Sequence, residues 1–224
     1  QPTRSSAHPK KFLSGYTGYL HTDGYSGYHK LPGVTVVGCY AHLRRKFDEA
    51  VKALPPDKRK DSESKKGLDK INELFALEDQ FEGLTPDQIK EARLERSKPK
   101  AEAFFAWAQS LGALPKSALG KAVHYAEEQR PWLMNVFLDG RLELTNNRAE
   151  RSIKPFVISR KNFLFCNTSK GAKASSIVFS IIETAKENGL KPFEYLEYLL
   201  ETLPNATTGM IDKLLPWSPG IPDR

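Results

Sequence analysis

Cysteine is scarce in this sequence, which has only Cys39 and Cys166 among 224 residues. Two cysteines are too few for the disulfide framework of a small secreted protein, so they favour a reducing environment. Apolar runs are short as well, and none approaches the roughly 18 residues that a membrane-spanning helix needs. The first 11 residues are polar and basic, unlike the apolar part of a secretory signal peptide. These absences predict a cytoplasmic protein.

Acidic residues are fewer than basic ones, and the net charge is +7. Residues 1–48 hold seven Lys and Arg against two acids, a net +5, and residues 141–173 hold eight against two, a net +6. The segments 49–140 and 174–224 carry −1 and −3. Solvated lysines alone would be spread more evenly, so this distribution favours a polyanion such as DNA as a partner. The alternative is a basic surface that faces only solvent.

Two short strands are predicted near the start of the chain. Residues 18–22 and 34–39 are rich in β-branched and aromatic side chains, and tyrosines between them are spaced as in a short helical turn. Strand, turn and strand in this order predict a parallel pair. An amphipathic helix is predicted over 41–54, where Leu43 and Phe47 share its apolar face.

The rest of the chain is predicted to be mainly helical. Residues 57–66 are highly charged and predict a loop, and Pro131 is expected to open a new helix. Helical periodicity recurs at 67–82, 86–112, 117–129, 172–188 and 192–203. The predicted fold class is therefore α/β but mostly helical. Its predicted segments are 1–48, a helical insertion over 49–138, 139–204 and an irregular tail over 205–224.

Two acidic residues are candidates for metal-dependent chemistry. Asp23 ends the first predicted strand, where a carboxylate of a parallel pair faces the crevice in which α/β folds bind ligands. Glu150 lies in the first turn of a predicted helix. Clustered carboxylates hold the two Mg²⁺ ions that many enzymes use for phosphoryl transfer. The alternatives are that Asp23 caps the turn after it and that Glu150 pairs with Lys154, one helical turn away.

Four motifs between residues 22 and 190 carry a family resemblance that extends over residues 4 to 204. They are Thr22–Tyr28, Gly38–Phe47, Asn146–Phe156 with its continuation Ser159–Phe165, and Ile182–Leu190. In composition and order they resemble motifs of the insertion sequence 66 family of DDE transposases. The motif around Glu150 is the most specific of the four, and it disfavours a ribonuclease-H-like nuclease unrelated to transposition.

The resemblance implies a partial ribonuclease-H-like domain with a helical insertion before the glutamate. Asp23 would be the second metal-binding acid and Glu150 the third, and the complete enzyme would use two Mg²⁺ or Mn²⁺ ions. The implied activity is cleavage of element ends followed by strand transfer, with terminal inverted repeats and target DNA as partners. A homo-oligomer and accessory proteins of the same element are further expected partners.

The sequence departs from the family pattern at the first catalytic aspartate. No Asp or Glu occurs among residues 1–22, so no residue there can take that role. The expectation is therefore that the chain is a fragment, and that alone it holds metal weakly and performs no strand transfer. A non-catalytic DNA-binding or assembly role is the alternative function.

Cys39 and His42 form a C-x-x-H pair directly after the second predicted strand. A structural zinc site needs four ligands, and Cys166 has no histidine near it, so the pattern disfavours zinc. Similar pairs occur in several groups of DDE transposases. The resemblance therefore makes His42 a candidate neighbour of the active site, and capping or packing is the alternative.

Basic side chains flank both motifs and are candidates for phosphate binding. Arg148 and Arg151 are predicted to share one face of their helix, with Ile153 on a different, buried face. Basic residues in the first turns of the helix over 41–54 oppose the helix dipole, which a bound phosphate would explain. The predicted DNA-binding residues are Arg44, Arg45, Lys46, Arg148, Arg151, Lys154, Arg160 and Lys161.

Overall fold

The computed structural model describes residues 5–159, 166–219 and 221. The chain divides into two compact units, Gln1–Asn147 and Arg148–Arg224. The boundary falls inside the Glu150 motif, between Asn147 and Arg148. The division into four segments therefore stays a prediction, whereas a compact first unit that contains both strands and the helical block is observed.

The first unit contains a two-stranded parallel sheet. Strand β1 (Gly18–His21) pairs with β2 (Val34–Val37), with Gly18 opposite Val34 and His21 opposite Val37. The Thr22 N–H extends the ladder by donating to the Val37 carbonyl at 3.0 Å. A short 3₁₀ turn at Ser26–Tyr28 connects the strands, which confirms the predicted strand, turn and strand. A mostly helical α/β chain is thus confirmed, but the described sheet is too small to establish a ribonuclease-H-like fold.

Helices make up most of the first unit. They are α1 (Ala7–Phe12), α2 (Tyr40–Lys52), α3 (Pro56–Arg59), α4 (Glu63–Asp79), α5 (Pro86–Ala92), α6 (Lys98–Ser110) and α7 (Ala118–Leu133). A π-helical turn at Arg93–Ser97 joins α5 to α6, and a 3₁₀ helix at Met134–Leu138 follows α7.

The core of this unit lies where α2 packs against α4, α6 and α7. Phe47 on α2 is fully buried and contacts Phe104 edge to face, with ring centroids 5.5 Å apart. Gly67 on α4 permits this packing, because a β-carbon there would collide with the Phe47 ring. Phe104 and Phe105 are also buried and belong to the same core.

Two predictions about the helical block were wrong. The segment 57–66 is not a loop throughout, because α3 occupies Pro56–Arg59 and α4 already begins at Glu63, where Ser62 caps it by accepting a hydrogen bond from the Lys65 N–H. Pro131 does not open a new helix either: α7 continues through it to Leu133. Packing of α7 against α2 and α6 sustains the helix past the proline.

A buried ion pair ties the π-helical turn to its neighbours. Arg93 is only 2% exposed, and its guanidinium donates to both carboxylate oxygens of Glu78 on α4. A third hydrogen bond, of 3.4 Å, reaches the carbonyl of Asp139. Through this hydrogen bond Arg93 links the insertion to the segment that leads to the Glu150 motif.

The second unit is built from α8 (Asn147–Ser159), α9 (Ser169–Glu187) and α10 (Pro192–Thr202). Gly189, at a φ of +75°, ends α9 in the left-handed conformation. After α10 the chain is not wholly irregular, because 3₁₀ helices form at Leu203–Asn205 and Thr208–Leu214. Leu214 is buried in the small core of this unit, where its carbonyl accepts a hydrogen bond of 2.6 Å from the Tyr195 hydroxyl.

No helix within residues 5–159, 166–219 and 221 is long and apolar enough to cross a membrane.

Candidate functional site

Asp23 lies in a tight turn at the carboxyl end of β1. Its Oδ1 atom accepts a hydrogen bond of 3.1 Å from the Tyr25 N–H, which fixes the orientation of the carboxylate. Gly24 follows at a φ of +86°, a conformation that favours glycine. The side chain of Asp23 is exposed, so it can contact a ligand. The structure thus places Asp23 where the sequence predicted it, at the end of a parallel strand.

Helix α7 packs across this same end of the sheet. The Gln129 side chain lies directly against Gly24, where a β-carbon would approach its Oε1 to 2.7 Å. The Gly38 N–H, just after β2, donates to the Trp132 carbonyl at 2.9 Å. Beyond α7, the Asn135 amide donates to the Val36 carbonyl of β2 at 2.7 Å. The end of the helical insertion is therefore fixed to the carboxyl ends of both strands.

An aromatic stack closes the turn after Asp23 against α7. The rings of His29 and Trp132 are stacked with centroids 3.5 Å apart. Burial lowers the pKa of His29, and the nearby Glu128 carboxylate opposes that shift. His29 therefore favours its neutral form, and Glu128 faces the same turn from α7.

Tyr125 lies one helical turn before Gln129, beside the Asp23 turn. Burial is the main cause that raises the pKa of Tyr125 to about 12. The side chains of Cys39, Asp23 and Glu128 raise it further, while Arg45 opposes the shift. The phenol of Tyr125 is consequently a stable hydrogen-bond donor near Asp23 at neutral pH.

The three basic residues of α2 differ in their surroundings. The Arg44 guanidinium donates to the Asn72 Oδ1 on α4 at 2.6 Å, so it points toward the insertion. Lys46 lies over the Tyr125 ring, 6.0 Å from its centroid, and its ammonium is also 3.6 Å from Glu49. Arg45 is exposed and acts electrostatically on Tyr125. Arg45 and Lys46, but not Arg44, thus lie at the Asp23 end of the sheet.

Cys39 and His42 flank the start of α2. Cys39 is buried, and its sulfur accepts a hydrogen bond of 3.4 Å from the Asn146 N–H, which leads into the Glu150 motif. His42 lies in the first turn, where its N–H donates to the Cys39 carbonyl at 3.2 Å. The role of His42 beside an active site stays a prediction.

His21 ends β1 on the strand position before Thr22. Burial is the main cause that lowers the pKa of His21. The charge of Glu143 raises this pKa, and the charge of Arg93 lowers it further. Within the described residues neither ring nitrogen makes a hydrogen bond. The imidazole is half-buried at the end of the strand.

In the second unit, Glu150 lies in the first turn of α8 and is exposed. The Arg148 guanidinium forms an ion pair of 2.6 Å with Glu187 on α9, whereas Arg151 and Lys154 are exposed. Arg160 and Lys161 lie outside the described residues.

The predicted burial of one face of α8 was wrong. Ile153 is 64% exposed, and α8 contributes no buried side chain. The helix packs in its own unit through Phe156, whose ring meets that of Phe179 on α9 edge to face at 5.2 Å. The face with Ile153 is exposed because no described part of the chain covers it.

The chemistry of the candidate acids fits a hard divalent cation, because carboxylate oxygens are its preferred ligands. Asp23 and Glu150 both present exposed carboxylates. Among residues 5–159, 166–219 and 221, however, no three His, Cys, Asp or Glu side chains are grouped so that they could hold a metal ion. The donor type thus fits, and the shared site of Asp23 and Glu150 stays a proposal.

The contribution of α7 to this site was not predicted from the sequence. Tyr125, Gln129 and Trp132 follow at intervals of four and three residues, which places them on one face of a helix. That face combines two aromatic rings with an amide, unlike the aliphatic face of a helix that only fills a core. This pattern was the available signal.

A family model described as Transposase IS66 family matches residues 1–174, more than three quarters of the chain. The chain belongs to the IS66 family of transposases. A second model, described as IS66 C-terminal element, matches residues 180–217, which include α10 and the carboxyl-terminal part of α9. The matched regions contain Asp23, Glu150 and the helical block between them.

Three relatives from Sinorhizobium fredii (strain NBRC 101917 / NGR234) match nearly the whole chain. Uncharacterized protein y4qI is 34% identical over 224 residues, which cover 93% of this chain and 40% of the relative. Uncharacterized proteins y4hP and y4jD are 28% and 29% identical, covering 96% of this chain and 42% and 44% of their own lengths. The IS66 chain thus spans less than half the length of these relatives. No solved structure matches it significantly.

Proposed function

We propose that this chain forms part of the catalytic domain of a DDE-type DNA transposase. The enzyme cleaves the ends of its element and joins them to target DNA by phosphoryl transfer, with Asp23 and Glu150 as two of its metal-binding acids. One observation carries the proposal: an exposed carboxylate, oriented by the Tyr25 N–H, lies at the carboxyl end of a parallel strand in an IS66-family chain. Ligands of open α/β sheets bind at that end.

Asp23 and Glu150 would hold the divalent ions of the reaction. Mg²⁺ or Mn²⁺ supplies the positive charge that activates the attacking oxygen and offsets the charge that develops on the phosphate. The hydrogen bond from Tyr25 keeps the Asp23 carboxylate in one orientation, which reduces the entropy lost on ligand binding. Glu150 lies on a helix whose exposed Arg151 and Lys154 can bind the phosphates of the same strand.

Metal binding tests the assignment of the two acids directly. We expect Mn²⁺ titration, followed by the electron paramagnetic resonance signal of the free ion, to show weaker binding by Asp23→Asn and by Glu150→Gln. Asp57→Asn and Glu82→Gln are matched controls, because both remove an exposed carboxylate away from the strand end. Equal Mn²⁺ binding by all four variants would contradict the assignment.

The separation of the two acids provides a second test. A crystal structure with Mn²⁺ should place the carboxylates of Asp23 and Glu150 about 4–8 Å apart, close enough to share two ions. A separation above about 12 Å in that crystal would rule out a shared site.

DNA binding is the other property that the proposal requires. Anisotropy of a labelled duplex at 50 and 200 mM salt should show weak, salt-dependent binding with little sequence preference, because the interaction is mainly with phosphates. Reversing both Arg151 and Lys154 to Glu should lower the affinity and reduce the salt dependence by about two released ions. Reversing Lys90 and Lys116, which are exposed in the insertion, is the matched control.

The two experiments together distinguish the proposed enzyme from a non-catalytic DNA-binding protein. Salt-dependent DNA binding without any effect of Asp23 or Glu150 on Mn²⁺ would favour the non-catalytic role. Binding that is indifferent to salt would contradict both functions.

A further inference from the structure

The last helix of the insertion is held rigidly at the Asp23 end of the sheet. Its Gln129 side chain is 3% exposed and packs on Gly24, and its Trp132 carbonyl accepts from the Gly38 N–H. The backbone of Leu133 is also close, since a β-carbon on Gly38 would lie 3.0 Å from its nitrogen. These contacts involve the residues that follow both strands. Side chains one turn earlier on α7 therefore have fixed positions relative to Asp23.

Tyr125 is the side chain in that position. It is half-buried, packs with its ring against the core of the first unit, and lies beneath the Lys46 ammonium. The charges of Asp23, Glu128 and Arg45 all act on its hydroxyl. Tyr125 thus lies beside Lys46 of α2, one turn before the Gln129 side chain that packs on the turn of Asp23.

The charges around Tyr125 favour an anion that arrives together with a cation. Arg45 and Lys46 lie in the amino-terminal half of α2, where their positive charges oppose the helix dipole. The negative charges of Asp23 and Glu128 also act on the phenol. A phosphate is attracted by the first pair and repelled by the second unless a cation is bound at the acids.

We propose that Tyr125 is a DNA-binding residue of the Asp23 site, where its phenol donates a hydrogen bond to a phosphate oxygen of the strand that Asp23 engages. Arg45 and Lys46 neutralise the same phosphate. The inference rests on the proposed transposase function, since it needs a DNA strand at Asp23. It gives the helical insertion a direct role in holding the substrate.

The test compares Tyr125→Phe with the wild-type chain in duplex binding, measured by fluorescence anisotropy with Mn²⁺ present. Loss of the hydroxyl should weaken binding about tenfold, as expected for one hydrogen bond to a charged oxygen. The salt dependence should not change, because no charge is removed. Tyr19→Phe is the matched control, since Tyr19 is also half-buried against this core but lies near the start of β1.

Two further measurements separate a contact with DNA from a purely structural role. The urea midpoint of Tyr125→Phe should equal that of the wild type, and the Cζ resonance of ¹³C-labelled Tyr125 should shift when DNA is added. In the double variant with Arg45→Gln, the loss of affinity should be smaller than the sum of the single losses, because both side chains bind one phosphate.

The outcomes distinguish this inference from the proposed function. Wild-type affinity in Tyr125→Phe, with salt-dependent binding intact, would overturn the role of Tyr125 and leave the transposase proposal standing. A tenfold loss with fully additive Arg45→Gln would overturn the shared phosphate. No DNA binding by the wild-type chain would overturn both proposals.

Discussion

The contact between Gly24 and Gln129 allows a quantitative test of how the Asp23 turn is held. Gly24 has a φ of +86°, so any other residue there carries the cost of the left-handed conformation. A β-carbon would also approach the Gln129 Oε1 to 2.7 Å and its Cδ to 3.0 Å. Gln129 is only 3% exposed, which limits how far its amide can move away. Gly24→Ala therefore combines two separate penalties.

Gly83 isolates the first penalty. It has nearly the same φ, +83°, but nothing lies within 4 Å of the position of a β-carbon. Gly83→Ala should lower the free energy of unfolding by about 1 kcal/mol, the cost of the backbone conformation. Gly24→Ala should lower it by about 2–4 kcal/mol, because overpacking against Gln129 adds roughly 1–3 kcal/mol.

Urea denaturation followed by tryptophan fluorescence provides the measurement. A Trp217→Phe background limits the signal to Trp107 and Trp132, both in the first unit. In a further Gln129→Ala background the extra cost of Gly24→Ala should disappear, because the colliding amide is gone. Equal losses for Gly24→Ala and Gly83→Ala, or an extra cost that survives Gln129→Ala, would refute the steric explanation.

Three further predictions concern the first unit, and urea denaturation checks each. Phe47→Ala should lower the free energy of unfolding by about 3–5 kcal/mol, because it leaves a cavity in the core; an effect below 1 kcal/mol would contradict that packing. Arg93→Leu should cost roughly 2–4 kcal/mol by leaving Glu78 without its buried partner, and adding Glu78→Leu should restore most of the loss. Thr85→Ala should cost about 1 kcal/mol, because Thr85 and Gln88 form a capping box at the start of α5; Thr85→Ser should retain most of the stability.

Local sequence signals were sufficient for the elements around Asp23. β-Branched and aromatic residues predicted the two strands, and the spacing of Leu43 and Phe47 predicted the buried face of α2. These patterns predict structure well because each depends on contacts between residues close in sequence or on burial in a single core. The glycine after Asp23 also indicated the turn, and its φ of +86° confirms this.

The signals failed where tertiary packing decides the structure. A proline usually begins or breaks a helix. However, α7 packs against α2 and α6 and continues past Pro131. The charged stretch 57–66 forms helix because a proline and a serine cap supply the starts of α3 and α4. The sequence also did not predict that Ile153 is exposed, because an amphipathic pattern does not reveal whether the apolar face of a helix is covered.

The candidate site was predictable only in part, for a related reason. Family motifs identified Asp23 because the residues around it are contiguous, but Tyr125 and Gln129 lie about 100 positions further along. Only folding brings α7 to the strand end, and the pattern on one face of α7 does not identify the segment that this face contacts. The proposed pairing of Asp23 with Glu150 would be a long-range relationship of the same kind.

The contacts of α7 show that the helical block is more than a surface insertion. A segment that only decorated the surface could be shortened without affecting the strands. Here the carbonyl of Trp132, the amide of Asn135 and the side chain of Gln129 contact the residues that end both strands. The orientation of the Asp23 turn therefore depends on the end of the block, while its middle is held through the Arg93–Glu78 ion pair and the hydrogen bond to Asp139. The block is thus part of the architecture that positions Asp23.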